Sequence, residues 1–94
     1  MNPAPPKMHY VYLLKSVNNG VIYIGCTSDL EKRIEEHNLG KCFTTKKYLP
    51  LRLVYYEAYL SKEDAYMRER KLKQYGSGLQ NLKRRLGKSL GGAG

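Results

Sequence analysis

The chain contains no tryptophan, one phenylalanine and only two cysteines among its 94 residues. Two thiols, Cys26 and Cys42, are too few for a disulfide framework, and both are expected to be reduced. The two cysteines and the two histidines, His9 and His37, are not spaced as C-x-x-C or H-x-x-x-H. This argues against a zinc site.

Long apolar runs are also missing. No segment reaches the roughly 18 apolar residues that a membrane span needs, and residues 1–7 lack the apolar region of a signal peptide. We therefore expect a cytoplasmic protein with no membrane partner. Three of the four prolines lie within residues 1–8, predicted to be a disordered leader. One domain is predicted over residues 9–86, followed by a flexible tail over residues 87–94.

Acidic residues are scarce, with 8 Asp and Glu against 17 Lys and Arg. Between Arg70 and Lys88 the chain has seven basic residues and no acid. Such a surface predicts a phosphate-bearing partner, because neutralising phosphates releases counterions. A solubilising basic face or an anionic membrane patch would account for the charge alone equally well.

Two β-branched and aromatic runs, residues 10–15 and 21–26, flank a segment that contains Asn19-Gly20. This pattern predicts a β-hairpin, because an Asn-Gly step adopts the positive φ that a tight turn needs. Side chains alternate along a strand, so Tyr12 and Tyr23 are expected to stand side by side on one face.

A short helix is predicted over residues 29–38, with Ser28 and Glu31 as its capping box and Leu30 and Ile34 as its apolar anchors. Arg33 and His37 are four residues apart, so they are neighbours on this helix, at the edge of its buried face.

The second half of the chain predicts a third strand over residues 51–59 and a helix capped by Ser61 that ends near residue 74 or 75. Gly76 to Gly78 should end that helix, and a third helix should follow over residues 79–86. This order predicts an α+β fold with a three-stranded, mainly antiparallel sheet flanked by helices.

Glu69 falls on the inward stripe of the second helix, between Ala65 and Leu72. A carboxylate facing the sheet needs a partner, since even a neutral polar group buried without one costs roughly 2 to 7 kcal/mol. An ion pair with Arg33 or Arg68, a side chain reaching out at the edge of the stripe, and a metal ion are all compatible with this position.

Together these residues resemble a known family. The triplets Tyr10-Val11-Tyr12 and Tyr23-Ile24-Gly25 at hairpin spacing, with Arg33 and Glu69 in register, resemble the GIY-YIG nuclease domain. Tyr10 stands where the family name has glycine, as in its small standalone bacterial members. The resemblance implies a metal-dependent endonuclease that hydrolyses DNA phosphodiester bonds, with a role in DNA repair or recombination.

The resemblance also implies roles for single residues. Glu69 would be the sole protein ligand of Mg²⁺ or Mn²⁺, and Arg33 would stabilise the charge of the transition state. Tyr12 and Tyr23 would hydrogen-bond the attacking water or the phosphate, and one of them would be the general base. His37 would assist proton transfer.

One branch of the family has a lysine directly after the YIG glycine, where this chain has Cys26, and Lys15 or Lys41 could supply that charge instead. The same branch has an asparagine twelve residues after the glutamate, which corresponds to Asn81. The full set of residues predicted to contact nucleic acid is Lys15, Lys41, Lys46, Lys47, Lys71, Lys73, Asn81, Lys83 and Arg84.

Other interpretations remain open at this point. The chain could be a noncatalytic module that binds DNA or RNA and keeps the nuclease fold, or a basic protein associated with the ribosome. Tyr12 and Tyr23 would then be ordinary strand aromatics. No motif demands a dimer, and no appended domain indicates a target sequence.

Overall fold

The computed structural model describes residues 3–74 and 76–91. Its elements, in chain order, are β1 (His9–Ser16), β2 (Ile22–Thr27), α1 (Leu30–Asn38), a one-turn 3₁₀ helix (Lys46–Tyr48), β3 (Leu51–Tyr59), α2 (Lys62–Gln74) and α3 (Gly76–Arg85). The predicted α+β fold with three strands is confirmed.

The sheet has the order β2-β1-β3, and both pairs are antiparallel. The turn between β1 and β2 places Gly20 at a φ of +73°, as the Asn-Gly step predicts. In the resulting register, Tyr12 lies opposite Gly25 and Leu14 lies opposite Tyr23. The central strand β1 is buried on both faces, while β2 is an edge strand.

The alternation of side chains along β1 separates two clusters. Val11 and Leu13 pack with residues of α2 and α3, whereas Tyr12 and Leu14 pack on the other face. The second cluster includes the two predicted anchors of α1, Leu30 and Ile34. Helices α1 and α2 therefore cover opposite faces of the sheet.

The predicted capping box of α1 is wrong by one position. The N-cap is Asp29, whose side chain accepts a hydrogen bond from the Lys32 backbone N–H at 3.2 Å. The Asp29 N–H is in turn held by the Thr27 hydroxyl at 3.1 Å. Because of this turn at the end of β2, the helix begins only at Leu30, and Ser28 precedes the N-cap.

The cap of α2 is confirmed, because Ser61 Oγ accepts a hydrogen bond from the Asp64 N–H at 3.3 Å. The start of α3 is wrong in the prediction, since the helix begins at Gly76 rather than Leu79. Residue 75, between the two helices, lies outside the described residues. Leu79, Leu82 and Leu86, which were predicted to share one stripe, pack into the hydrophobic cluster that contains Ala65 and Leu72 of α2. This tertiary packing overrides the low helix propensity of glycine.

Residues 3–8 form neither helix nor strand. At the other end, Lys15 Nζ donates a hydrogen bond to the Leu90 carbonyl, and residues 92–94 lie outside the described residues. The disordered leader and flexible tail stay predictions. Within the described ranges, no helix has the length and apolar character needed to cross a bilayer.

A cluster around Glu57 joins β3 to α2. The Glu57 carboxylate accepts hydrogen bonds from Tyr55 and Tyr59 on its own strand and from the Arg68 guanidinium, at 2.9 Å from Nε. Burial alone would raise the pKa of Glu57, but these three donors outweigh it and lower the pKa. Burial, reinforced by Glu57, raises the pKa of Tyr55 and of Tyr59 to about 12.

Because of this cluster, we expect the free energy of unfolding to be largest at intermediate pH and to fall in both acid and alkali. Because the pKa of Glu57 is lower in the folded chain, its contribution is complete above the unfolded value near 4.5 and is lost as the pH falls through the folded value. The raised pKa values of Tyr55 and Tyr59 give a contribution that is complete below pH 10 and lost as the pH rises toward 12. Urea unfolding across this pH range measures both limbs. Glu57→Gln should flatten the acid limb below pH 4.5, and an unchanged acid limb would contradict this assignment.

Candidate active site

Tyr12 of β1 and Tyr23 of β2 lie on the sheet face that α1 covers. Their ring centroids are 6.4 Å apart, as the strand alternation predicts. The imidazole of His37, from α1, contacts both rings, with centroid distances of 5.9 Å to Tyr12 and 5.0 Å to Tyr23. The hairpin and the helix thus bring three of the predicted site residues together.

His37 is fully buried rather than at the edge of the helix's buried face. Its Nε2 is 2.9 Å from the Tyr12 hydroxyl, and its Nδ1 is 2.8 Å from the hydroxyl of Thr45. Thr45 belongs to the loop between α1 and β3 and is itself buried. Sequence reasoning missed it, because a Lys-Thr loop is usually a solvated connector and no local pattern signals this contact.

Both members of the Tyr12–His37 pair are neutral near pH 7. Burial, and secondarily the charge of Arg33, lowers the pKa of His37 below its ordinary 6.5. Burial raises the pKa of Tyr12 to about 12, although the nearby guanidinium of Arg33 opposes the rise. The Tyr12 phenol, only 1% exposed, is therefore a protonated group enclosed by protein.

Arg33 lies between this buried pair and the surface. Its side chain is 35% exposed, and its Nη1 donates to Glu36 at 3.3 Å. Its Nη2 is 3.8 Å from the Cys42 sulfur, at the start of the same loop that carries Thr45. The guanidinium thus has a polar partner on each side and remains accessible to an anion.

Gly25, the last residue of the second signature triplet, lies directly under Tyr12. A Cβ built on Gly25 would overlap the phenol ring and hydroxyl of Tyr12. The ring is buried and already bonded to His37, so it has no free space into which to move. Glycine at this position is what allows Tyr12 to reach His37.

Gly25→Ala is therefore expected to lower the free energy of unfolding by about 1 to 3 kcal/mol, the range for overpacking a closed core. The matched control is Gly76→Ala, since a Cβ at Gly76 meets nothing within 4 Å. That variant should be unchanged or more stable by up to about 1 kcal/mol, because alanine is the better helix residue. Urea unfolding of the two variants compares them directly, and equal effects would contradict the packing argument.

Glu69, on α2, approaches the edge strand β2 from the opposite face of the sheet. Its side chain is 19% exposed and forms an ion pair with Lys73, one turn along the helix, at 3.2 Å. The two alternative partners that the sequence left open are engaged elsewhere: Arg33 with Glu36 and Arg68 with Glu57.

Lys73 connects Glu69 to the tyrosines. Its ammonium group lies 6.0 Å from the centroid of the Tyr23 ring, while its other contact is the Glu69 carboxylate. Tyr23 therefore borders His37 on the α1 side and Lys73 on the α2 side. The candidate site straddles the edge strand β2, with Arg33 on one side and Glu69 on the other.

The surroundings of Glu69 fit a divalent ion that brings most of its own ligands. Among the described residues no group of three or more His, Cys, Asp or Glu could hold a metal. Glu69 instead lines an open depression of about 360 Å³ with Tyr66, Arg70, Lys73 and Gln74. Mg²⁺ is commonly bound by one or two carboxylates, with waters and substrate phosphate oxygens completing the shell, and this depression has room for them.

The predicted nucleic-acid contacts lie in three places. Lys41, Lys46 and Lys47 belong to the loop that carries Thr45; Lys46 lies over the exposed Phe43 ring at 5.0 Å and Lys47 over the Tyr48 ring at 5.2 Å.

The second group lies on α2 and α3 and comprises Lys71, Lys73, Asn81, Lys83 and Arg84. Within it, the Asn81 side chain accepts a hydrogen bond from Arg84 at 3.0 Å. Lys15 stands apart, near the hairpin turn, where it contacts Leu90. Contact with nucleic acid stays a prediction for all of these residues.

Comparison with known proteins identifies the family. Residues 8–81 match the family model of the GIY-YIG catalytic domain. The chain is 43% identical over 76 residues to a UPF0213 protein of Staphylococcus haemolyticus, covering 80% of this chain and 90% of that one. A UPF0213 protein of Staphylococcus aureus is 40% identical over 68 residues, covering 71% and 82%.

The solution NMR structure of a UPF0213 protein from Bacillus halodurans superposes with a TM-score of 0.53 at 35% identity, covering 85% of this chain and 87% of that one. The family model spans both signature triplets, Arg33, His37 and Glu69. This chain belongs to the GIY-YIG catalytic domain family.

Proposed function

We propose that this protein is a metal-dependent endonuclease that hydrolyses phosphodiester bonds in DNA, acting in repair or recombination. One observation carries the proposal. In a GIY-YIG domain, the Tyr12–His37–Tyr23 cluster lies beside an accessible arginine, and an ion-paired carboxylate approaches the same edge strand from the opposite face. Positioned donors and a carboxylate able to hold a metal ion are groups that can promote phosphodiester hydrolysis.

The two tyrosines have different surroundings, which separates their roles. Tyr12 is buried and its hydroxyl is bonded to His37, whereas Tyr23 is half-buried and reaches the surface beside Lys73. We assign Tyr23 to the contact with the attacking water or the scissile phosphate. Tyr12 holds His37 in place through its hydrogen bond to Nε2.

Arg33 is placed to meet charge that develops on the phosphate. As water forms its bond to phosphorus and the bond to the leaving 3′ oxygen breaks, negative charge accumulates on the other phosphate oxygens. A guanidinium held by Glu36 and Cys42 can donate to those oxygens without first being ordered. The proton lost by the water passes to solvent or to Tyr23 in its phenolate form, because a protonated phenol is not basic enough to accept it.

Glu69 would hold the metal. Bound there, Mg²⁺ or Mn²⁺ would supply Lewis-acid stabilisation of the phosphate and the leaving oxygen. The ion pair with Lys73 orients the Glu69 carboxylate and places a cation beside the same phosphate. The basic residues of the loop and of α2 and α3 would contact neighbouring phosphates.

The test is a cleavage assay with labelled single-stranded, duplex and branched DNA and with RNA. Each substrate is incubated with the purified protein and Mg²⁺, Mn²⁺ or EDTA. The proposal predicts DNA cleavage with either metal ion and none with EDTA. Salt-dependent binding to DNA without cleavage of any substrate would favour a noncatalytic binding module, and cleavage of RNA alone would overturn the assignment to DNA.

A further inference from the structure

We infer that Phe43 is a binding residue that stacks on an unpaired base of the substrate strand, close to the phosphate at Arg33. The inference deepens the proposed function and rests on it for the identity of that phosphate. It names the substrate class, which is DNA that is single-stranded or carries an unpaired nucleotide beside the cleaved bond. The stacking itself needs no cleavage, because it is a property of the bound complex.

The exposure of the Phe43 side chain is not explained by packing. Phe43 is the only phenylalanine in the chain. It is 81% exposed, the largest fraction among the exposed large hydrophobic side chains of the described residues. Single apolar residues are common on protein surfaces, so exposure alone does not indicate a ligand. The position of Phe43 and its neighbours indicate one.

The turn that carries Phe43 is ordered by hydrogen bonds. The Cys42 carbonyl accepts from the Thr45 N–H at 3.2 Å and from the Lys46 N–H at 3.0 Å. Phe43 therefore lies at the tip of a closed turn. Thr45 is buried, and its hydroxyl is 2.8 Å from His37 Nδ1. The ring is thus presented to solvent from a fixed base, which reduces the entropy lost when it binds a ligand.

The same turn places Phe43 next to the candidate active site. Cys42, the residue before it, has its sulfur 3.8 Å from Arg33 Nη2. Thr45, two residues after it, contacts His37. A strand whose phosphate is bound at Arg33 would therefore pass this turn, and a base next to that phosphate would lie beside the ring.

The loop around Phe43 is basic and contains no acid. Residues 39–50 include three lysines and no Asp or Glu. All three are exposed: Lys41, Lys46 and Lys47. The Lys46 ammonium lies over one face of the Phe43 ring, 5.0 Å from its centroid, which leaves the other face open to solvent. Proteins hold single strands with such surfaces, because the ring stacks on a base and the cations contact the phosphates.

Stacking on Phe43 requires an unpaired base. In a duplex each base lies between its neighbours, and proteins reach only the base edges through the grooves. An unpaired base presents its flat face, whereas a paired base must first be extruded at a cost in free energy. Phe43 therefore favours single strands, bulges and the unpaired arms of branched DNA over a regular duplex.

The contact can be measured without cleavage by fluorescence anisotropy in EDTA, with a labelled single-stranded DNA oligonucleotide and a duplex of the same sequence. Phe43→Ala should weaken binding to the single strand by about fivefold to a hundredfold, the range for losing one base stacked on an aromatic ring. Binding to the duplex should be unchanged. Phe43→Tyr should retain wild-type affinity, because it keeps the ring. Leu39→Ala is the matched control, since Leu39 at the end of α1 is also an exposed apolar residue.

A second comparison changes the DNA and leaves the protein intact. A duplex with one unpaired nucleotide is compared with the same duplex in which that nucleotide is abasic. The wild type should bind the abasic form more weakly by a factor similar to that of Phe43→Ala on the single strand. Phe43→Ala should bind both forms equally, because the base and the ring form one contact that either change removes.

Three outcomes would overturn the inference: a Phe43→Ala protein that binds the single strand as the wild type does, an equal loss of affinity for the duplex, or a wild type that does not distinguish the abasic form. The third applies even if Phe43→Ala fails to fold. A loss of affinity for RNA strands alone would overturn the assignment to DNA.

The two proposals can fail separately. If the wild type distinguishes the abasic form, Phe43→Ala does not, and the wild type cleaves nothing, the stacking role is supported and the proposed nuclease function fails. If Phe43→Ala binds and cleaves single-stranded DNA as the wild type does, the nuclease function stands and the stacking role fails.

Discussion

Replacing Glu69 with glutamine is expected to lower the rate of Mg²⁺-dependent DNA cleavage by on the order of a thousandfold, with little change in DNA affinity. The reason is that glutamine keeps the size of the side chain but removes the negative charge that a divalent ion needs. Metal ions stabilise a phosphoryl transition state by several kcal/mol, and each 1.36 kcal/mol corresponds to about tenfold in rate. DNA affinity should persist or rise, because the change also frees the Lys73 ammonium from its ion pair.

Glu63→Gln is the matched control, since it makes the same change of charge in the first turn of the same helix. Single-turnover cleavage over a range of Mg²⁺ concentrations separates weaker metal binding from slower chemistry. A Glu69→Gln protein that cleaves at the rate of the control would contradict the assignment of this carboxylate.

Arg33→Met is expected to reduce kcat by about a hundredfold to a thousandfold, the range for removing one preorganised donor from a developing charge. Methionine retains much of the aliphatic stem but cannot donate to a phosphate oxygen. Arg33→Lys should recover only part of the loss, because a lysine ammonium lacks the planar fork that contacts Glu36 and Cys42 together.

Lys32→Met is the control for net charge, since Lys32 precedes Arg33 on α1 and is exposed. Both variants lose one positive charge, so DNA affinity should fall by a similar small amount in each. Only Arg33→Met should have a lower kcat than the wild type. Equal rates for the two variants would show that Arg33 contributes general charge and no stabilisation of the transition state.

The elements of the fold that depend on local patterns were predictable from the sequence. The Asn-Gly turn set the hairpin register that puts Tyr12 beside Tyr23, and β3 begins and ends where its composition indicates. Helix ends were less predictable, because neighbouring residues compete for the capping position and tertiary packing can extend a helix. Asp29 displaced Ser28 as the cap of α1, and burial of the leucine stripe drew Gly76 into α3.

The candidate site was less predictable from the sequence than the fold. Tyr12, Tyr23, Arg33 and Glu69 could be identified by their resemblance to the family's motif. They lie on the neighbouring strands β1 and β2 and on the two helices that cover opposite faces of the sheet. The contact of Thr45 with His37 could not, because the loop crosses from α1 to β3 and its path depends on the whole fold. The burial of His37 was likewise hidden, since a helix periodicity places a residue at an edge but does not show what covers it.

The most direct test of the central claim is the nicking of supercoiled plasmid DNA by the wild type and by the double variant Tyr23→Phe/Glu69→Gln, purified in parallel. The double variant lacks the proposed substrate-facing phenol and the proposed metal ligand, and any contaminating nuclease would be common to both preparations. We predict nicking by the wild type that requires Mg²⁺ or Mn²⁺ and is absent from the variant. Equal nicking by both proteins, or none by a folded wild type that binds DNA, would contradict the account.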